Sequence, residues 1–132
     1  MDFNDAFEED YEAFRGQLGA ILKHLKAAVT RHFSNDDDVT WYYVGIASNG
    51  VAGCRNRWNQ KYKPDGFNRM RAIYHTNSND FVRQAERELI YHNWEDPKCC
   101  NQVGGGGGRL GPPTYIVYVA YKQKYIGITR PF

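Results

Sequence analysis

The chain has 132 residues, 42% of them hydrophobic, which fits one compact domain with its own core. No apolar run approaches the roughly 18–20 residues of a membrane span, and the acidic start MDFNDAFEED differs from the basic, then apolar start of a signal peptide. The three cysteines have no paired spacing, which argues against a disulfide framework. We therefore expect a single-domain intracellular protein, cytoplasmic or nuclear, with no membrane partner.

The formal net charge of +2 hides an uneven distribution of charge. Residues 1–38 carry nine acids and four bases, whereas residues 39–132 carry six acids and thirteen bases. Such a basic excess indicates either a solvated surface or, where aromatic residues are interleaved, a surface that pairs phosphates and stacks on bases. Within 53–75 the only acid is Asp65, and the bases are Arg55, Arg57, Lys61, Lys63, Arg69 and Arg71.

The first predicted element is a helix over 5–33, because its apolar residues recur at spacings of three and four. Asp5 and Glu8 have the spacing of a capping box at its start. Gly16 and Gly19 weaken its middle by about 1 kcal/mol each, so a break there is compatible with the pattern. We expect this helix to serve packing.

The next segment, 39–47, reads VTWYYVGIA and predicts a buried strand because it is rich in β-branched and aromatic residues. A short basic helix is expected over 55–62, ended by Pro64. Residues 67–75 fit a helix or a strand equally well.

A second amphipathic helix is predicted over 78–93, with Ser78 or Asp80 as its cap. The glycine run 104–108 follows, and we interpret it as a loop because five consecutive glycines resist regular structure. A phosphate-binding role for this run is less favoured, because such a loop precedes a helix and here a strand follows.

The C-terminal part predicts a strand over 114–121, a two-residue turn at 122–123 and a further strand over 123–129. The sequence KYIGIT of residues 124–129 closely resembles the sequence YYVGIA of residues 42–47. Two similar segments so far apart in the chain suggest either two strands of one sheet or two related units.

In their order along the chain, several motifs resemble the GIY-YIG endonuclease family. Tyr43-Val44-Gly45 resembles the second tripeptide of the family, and Arg57 resembles the arginine of the helix that follows it. Glu86, followed by Leu89-Ile90, resembles the metal-binding glutamate, and Asn101 stands where the family has an asparagine.

The chain departs from this family because no GIY strand precedes Tyr43. Either the strand 114–121 folds back beside 40–47 and replaces it, which we favour, or the C-terminal hairpin begins a second, truncated repeat. The resemblance implies an α+β fold with a small three-stranded mixed or antiparallel sheet, built from 40–47, 114–121 and 123–129 and flanked by helices. Residues 1–38 would form a helical extension of the core 39–132.

The resemblance also implies a function, namely a metal-dependent endonuclease that hydrolyses DNA or RNA, with DNA favoured. Glu86 would hold Mg²⁺ or Mn²⁺, Arg57 would pair phosphate oxygens, and Tyr43 or Tyr118 would act as general base, with Asn101 as a further catalytic residue. The nucleic-acid-binding residues would be Arg55, Lys61, Lys63, Arg69 and Arg71.

Simpler interpretations remain open at this point. The tyrosines fit ordinary sheet packing, and Glu86 fits a surface ion pair with Arg83 or Arg87, with Glu88 as the alternative metal ligand. Zinc binding by His75, His92, Cys99 and Cys100 lacks the usual paired spacing. The alternative functions are a catalytically inactive nucleic-acid-binding module on the same fold and a protein-interaction domain that docks through the acidic segment 5–33.

Overall fold

The computed structural model describes residues 2–11, 16–102, 104–105 and 109–124 and has an α+β architecture. A four-stranded mixed sheet lies at its centre, with helices on both faces. The strands are β1 (Phe7–Glu9), β2 (Val39–Ala47), β3 (Arg69–Thr76) and β4 (Tyr115–Gln123). The helices are α1 (Phe3–Ala6), α2 (Leu18–Val29), α3 (Gly50–Arg57) and α4 (Asn79–His92). π-helical turns extend α2 through Thr30–Ser34 and α3 through Trp58–Tyr62.

The strand order in the sheet is β1-β3-β4-β2. β4 is antiparallel to both of its neighbours, and β1 pairs in parallel with β3. The predicted pairing of 114–121 with 40–47 is confirmed, with Tyr43 opposite Ala120 and Gly45 opposite Tyr118. The C-terminal strand therefore lies beside the YVG strand, where the hairpin partner was missing.

The expected count of three strands is wrong, because β3 and β1 complete the sheet. Lys122 and Gln123 continue β4, so the predicted turn at 122–123 is also wrong, and residues 125–129 of the predicted third strand lie outside the described residues. β3 forms from the segment that fitted helix and strand equally. A register irregularity between Ala72 and Tyr74 interrupts its two-residue alternation, which removes the pattern by which a strand is recognised.

The single helix expected over 5–33 is wrong as well. Asp2 caps the short helix α1 by accepting a hydrogen bond from the Phe3 amide at 2.9 Å, and the chain then becomes extended at Phe7 to form β1. Asp5 and Glu8 therefore do not form a capping box. The rings of Phe3 and Phe7 stack with centroids 4.6 Å apart. Both rings belong to the core on one face of the sheet, whereas α2 packs in the core on the other face.

The two remaining helices match their predicted positions more closely. α4 begins after Ser78, whose hydroxyl accepts a hydrogen bond from the Phe81 amide at 3.2 Å, as the cap prediction required. α3 contains the start of the basic helix predicted over 55–62 and begins five residues earlier, at Gly50, after Asn49 in a left-handed conformation with φ 62°.

Both faces of the sheet are buried. On one face, α2 and α4 pack over Val44, Val117 and Val119. On the other, α1, α3 and the turn after α3 pack over Met70, Ile116 and Tyr118. Because consecutive residues of β4 serve different cores, this strand reads as an unbroken apolar run, as is usual for a strand covered on both sides. Within the described ranges, no helix combines the length and the apolar character that crossing a membrane requires.

Candidate active site

A cavity of about 160 Å³ lies beside the edge strand β2, where α3, α4 and the loop after α4 meet. All five residues predicted as catalytic or metal-binding line it, although they come from five separate segments of the chain. They are Tyr43 of β2, Arg57 of α3, Glu86 of α4, Asn101 of the following loop and Tyr118 of β4. Lys61, predicted as a nucleic-acid contact, lines it too.

The glycine of the YVG phrase lies under the ring of Tyr118. A methyl group at Gly45 would come within 2.5 Å of the Cζ and hydroxyl oxygen of Tyr118, far inside van der Waals contact. A glycine within a strand commonly marks such a close approach. The position of the Tyr118 ring in the cavity wall therefore depends on the absence of a side chain at residue 45.

The hydroxyl of Tyr118 forms a hydrogen bond of 2.6 Å with the hydroxyl of Tyr62. Both side chains are buried, and burial raises the pKa of each phenol. Nearby Arg57 acts in the opposite direction on both pKa values, but the effect of burial is larger. Both phenols are therefore protonated at neutral pH, and only one of their two protons is used between them.

Tyr62 is a site residue that the sequence analysis missed. Its ring lies edge-on to Tyr118, with centroids 5.5 Å apart and planes at 78°. In the sequence it was one aromatic residue among several in a basic stretch. The four-residue spacing from buried Trp58 to Tyr62 was an available sign that both residues face the core.

Tyr43 lies on the same side of β2 as Gly45 and is only partly buried. The ammonium of Lys61 lies 3.9 Å from the centroid of the Tyr43 ring, which is a close cation–π contact. The ring centroid of Tyr62 is 5.6 Å from that of Tyr43. Tyr43 is thus the tyrosine of the cavity that combines partial exposure with a neighbouring cation.

Two cations of the cavity come from one face of α3 and its π-helical extension. Arg57 is exposed at the last residue of α3, and Lys61 follows four residues later, so both side chains reach the cavity. Together with the carboxylate of Glu86, they give the described lining a formal charge of +1. Such a lining suits an anion that is bound together with one metal ion.

Glu86 projects from α4 into the cavity, and its carboxylate is close enough to Tyr62 to raise the pKa of that phenol. The loop after α4 passes tightly over it. A methyl group at Gly105, whose φ is 93°, would lie 2.9 Å from Oε1 of Glu86. The alternative ligand Glu88 lies on another side of the helix, where its carboxylate pairs with Lys26 of α2 at 3.1 Å.

A single carboxylate fits Mg²⁺ better than it fits a metal that needs a full set of protein ligands. Mg²⁺ keeps several of its waters and usually takes one or two carboxylates together with phosphate oxygens of the substrate. In the described parts of the chain, no three His, Cys, Asp or Glu side chains group together, so a metal site with several such protein ligands is not found there. Glu86 is the one carboxylate in the described lining to which such an ion could bind.

Asn101 has a structural task in the wall of the cavity. Its Oδ1 accepts a hydrogen bond from the amide of Val44 at 2.9 Å, and its Nδ2 donates to the carbonyl of Val44 at 2.9 Å. The side chain thus imitates a neighbouring strand along the outer edge of β2. Because both ends of the amide bind main chain, we assign Asn101 a positioning role for the loop.

The other predicted nucleic-acid contacts do not line the cavity, and most of them have neighbours within the protein. Arg55 lies over the Phe3 ring at 5.2 Å, and Lys63 is exposed beyond the cavity. Arg69 donates to the carbonyl of Asp5 at 3.0 Å. Arg71 pairs with Glu8 at 2.9 Å and its side chain is only 18% exposed, so its guanidinium already has a protein partner.

No protein-family model, curated protein or solved structure matches the chain. The interpretation of the cavity therefore depends on its own geometry and chemistry.

Proposed function

We propose that this protein is a metal-dependent endonuclease of GIY-YIG type that hydrolyses phosphodiester bonds, with DNA favoured over RNA. The observation that carries this proposal is the convergence of Tyr43, Arg57, Glu86 and Tyr118 on one cavity. The resemblance selected Tyr43, Arg57 and Glu86 by their order in the sequence, and Tyr118 as a residue of the strand expected to lie beside 40–47. Nothing in that order alone requires four separate elements to bring them to one place.

The reaction needs an attacking water, neutralised charge on the phosphate and a proton for the departing oxygen. Arg57 has a planar guanidinium that pairs two phosphate oxygens at once, and Lys61 adds a second cation beside it. As the water oxygen bonds to phosphorus and the bond to the leaving oxygen breaks, that oxygen takes up a proton. The Tyr62–Tyr118 pair, with one hydroxyl proton unused between its members, is a suitable donor.

Glu86 would hold a Mg²⁺ or Mn²⁺ ion, which when bound supplies charge neutralisation at the phosphate and polarises a water. The tight passage of Gly105 over this carboxylate would limit its motion. The role of Glu86 itself would be to place its negative charge in the same cavity as the two cations Arg57 and Lys61.

The predicted choice of Tyr43 or Tyr118 as general base is narrowed by burial. A base must lose its proton, and burial raises the pKa of Tyr118, so we propose Tyr118 as a hydrogen-bond donor. Tyr43, which is partly exposed and lies beside Lys61, is the proposed base: as the phenolate it would orient the water and accept its proton.

The second candidate function is a catalytically inactive nucleic-acid-binding module. One observation favours it: Arg57 and Lys61 outnumber Glu86, the one acid in the described lining, so this lining has a net positive charge. Such a cavity holds a phosphate through Arg57 and Lys61 without any need for hydrolysis.

A plasmid-nicking assay separates the two functions. Supercoiled plasmid is incubated with the protein and Mg²⁺, Mn²⁺ or EDTA, and branched and single-stranded oligonucleotides are tested in parallel. The endonuclease proposal expects relaxed plasmid or cut oligonucleotide with either metal and none with EDTA. Nucleic acid that is bound but never cut under any of these conditions would leave the binding module as the function.

A further inference from the structure

A second concave surface adjoins the cavity. We call it the aromatic groove; it has a volume of about 490 Å³, and the residues that line it include Trp41, Tyr43, Lys61, Asp65, Phe67 and Gln102. Tyr43 and Lys61 line both the groove and the cavity. A ligand that places a phosphate in the cavity would therefore extend its neighbouring group into the groove.

The walls of the groove are two partly exposed aromatic rings. Trp41 precedes Tyr43 by two residues on β2, so both side chains project from the same face of the strand. The ring of Phe67 lies edge-on to that of Trp41, with centroids 6.4 Å apart and planes at 86°. Phe67 in turn contacts the ring of Tyr62 at 5.3 Å, so aromatic packing continues from the groove to the cavity.

Two contacts within the protein support the strand and one of the rings that form the groove. Tyr42, between Trp41 and Tyr43, points to the opposite face, where its hydroxyl donates to Asp96 at 2.7 Å. This contact fixes the orientation of the strand, and the cation–π contact of Lys61 fixes the Tyr43 ring. The strand that carries Trp41 and the ring of Tyr43 are therefore each held by a contact within the protein.

The rim of the groove is polar. Asp65 and Gln102 are exposed there and supply a carboxylate acceptor and an amide that both donates and accepts. Flat aromatic surface, hydrogen-bonding groups at the rim and a cation toward the cavity match the parts of a nucleotide: the face of the base, its edge and its phosphate.

We propose that the aromatic groove binds the base of an unpaired nucleotide adjacent to the phosphate held in the cavity. A base inside a duplex has both faces covered by its neighbours, so only an unpaired or flipped base presents a face to Trp41 or Phe67. The preferred substrate is then a nucleic acid with a single-stranded, bulged or extruded nucleotide. The phosphate in the cavity next to this base rests on the proposed function, but binding of the base is measurable without cleavage.

The test is a binding measurement by fluorescence anisotropy in EDTA, so that no cutting occurs. Three labelled DNAs of one sequence are compared: a blunt duplex, a duplex with a one-nucleotide bulge, and the same bulged duplex with an abasic site at the bulge. We expect the parent protein to bind the bulged duplex about 10-fold more tightly than the other two, since stacking of one base is typically worth about one order of magnitude.

Trp41→Ala should remove that preference and leave binding of the blunt duplex within about two-fold, whereas Trp41→Phe should retain most of it. Trp94→Ala is the matched control, because Trp94 is 46% exposed and lies outside the groove. Equal affinity of the parent protein for the bulged and abasic duplexes overturns the proposal without any variant. A loss with Trp41→Ala that is equal on all three DNAs overturns it too.

The two proposals fail separately. If the protein cuts plasmid but binds the bulged and abasic duplexes equally, the endonuclease proposal stands and the groove proposal is wrong. If the protein binds the bulged duplex more tightly than the abasic one but never cuts nucleic acid, the groove proposal stands and the endonuclease proposal is wrong. No binding of any of these DNAs overturns the groove proposal directly.

Discussion

The hydroxyls of Tyr62 and Tyr118 lie 2.6 Å apart in the wall of the cavity, although 56 residues separate them in the chain. Tyr62 ends the π-helical turn after α3, and Tyr118 lies in the middle of β4. This bond therefore ties the segment that carries Arg57 to the sheet. The relative position of Arg57 and the edge strand depends on it.

Tyr118→Phe should destabilise the protein because it leaves the hydroxyl of Tyr62 buried without its partner, at a cost of about 1–3 kcal/mol. The double variant Tyr62→Phe/Tyr118→Phe removes both polar groups and should be more stable than the sum of the single losses predicts. Urea unfolding of the four proteins of this cycle measures the coupling. Additive losses would show that the two hydroxyls do not depend on each other.

Gly45→Ala should be strongly unfavourable because its methyl group would come within 2.5 Å of Tyr118. Overpacking of this kind typically costs about 1–3 kcal/mol, and the displaced ring should also impair cleavage. Gly19→Ala is the matched control: no atom lies within 4 Å of its added methyl, and in helix α2 alanine gains up to about 1 kcal/mol over glycine. Thermal unfolding should shift in opposite directions for the two variants, and a Gly45→Ala protein as stable as the parent would contradict the packing.

The parts of the fold that the sequence predicted are those whose signals are local. β2 and β4 are apolar, β-branched and aromatic runs, and α4 combines an apolar stripe with the Ser78 cap. β1 was missed because three residues are too few to show alternation and because its pairing with β3 spans 63 residues. Its partner β3 was ambiguous because an irregularity interrupts its alternation.

In the candidate site too, some residues could be predicted from the sequence, whereas some contacts could not. The order of Tyr43, Arg57 and Glu86 along the chain was enough to select them, since a family pattern is a pattern of order. The hydrogen bonds of Asn101 to the main chain of Val44 depend on how a loop lies against an edge strand, and no sequence signal specifies that. The same holds for the ion pair of Arg71 with Glu8, which gives that guanidinium a partner within the protein.

The hydrogen bond from Tyr42 to Asp96 should make part of the stability depend on pH. Burial alone would raise the pKa of Asp96, but hydrogen bonds from Ser34 and Tyr42 outweigh it and lower that pKa. A carboxylate with a lowered pKa in the folded state stabilises the protein above its unfolded pKa of about 3.9, and this stability is lost as the pH falls through the folded value. The Tyr42 hydroxyl thus contributes most when Asp96 is ionised.

We expect Tyr42→Phe to destabilise the protein clearly at pH 7 and much less at pH 2–3, measured by urea unfolding at each pH. Tyr115→Phe is the control, because the Tyr115 hydroxyl donates to the carbonyl of Gly111, which does not titrate. The loss in this control should be similar at both pH values. A Tyr42→Phe loss that is equally constant would mean that the bond to Asp96 contributes nothing through its charge.

Arg57 should contribute one phosphate contact to nucleic-acid binding. The affinity for duplex DNA falls as salt rises, and each phosphate contact adds about 0.9 to the steepness of log affinity against log salt concentration. Arg57→Gln should therefore reduce this steepness by about 0.9. Arg31→Gln changes the net charge equally on the π-helical turn after α2, remote from the cavity lining, and should leave the slope unchanged. Equal slopes for the parent and both variants would place the phosphate elsewhere.

Glu86 separates catalysis from binding most sharply. Glu86→Gln keeps the size and the hydrogen-bonding capacity of the side chain but removes its charge, so the fold should persist and metal-dependent cleavage should fall by orders of magnitude. Binding of nucleic acid in EDTA should be equal or tighter, because a negative charge near the phosphate has been removed.

Glu88→Gln is the matched control for this change, since it lies on the same helix and loses only a partly exposed ion pair with Lys26, and such pairs near the surface are typically worth less than about 1 kcal/mol. It should cut like the parent protein. If both variants cut equally well, Glu86 does not hold the metal, and if both lose activity together, the loss reflects α4 as a whole. Only loss confined to Glu86→Gln, with binding retained, assigns the carboxylate in the cavity to the chemistry.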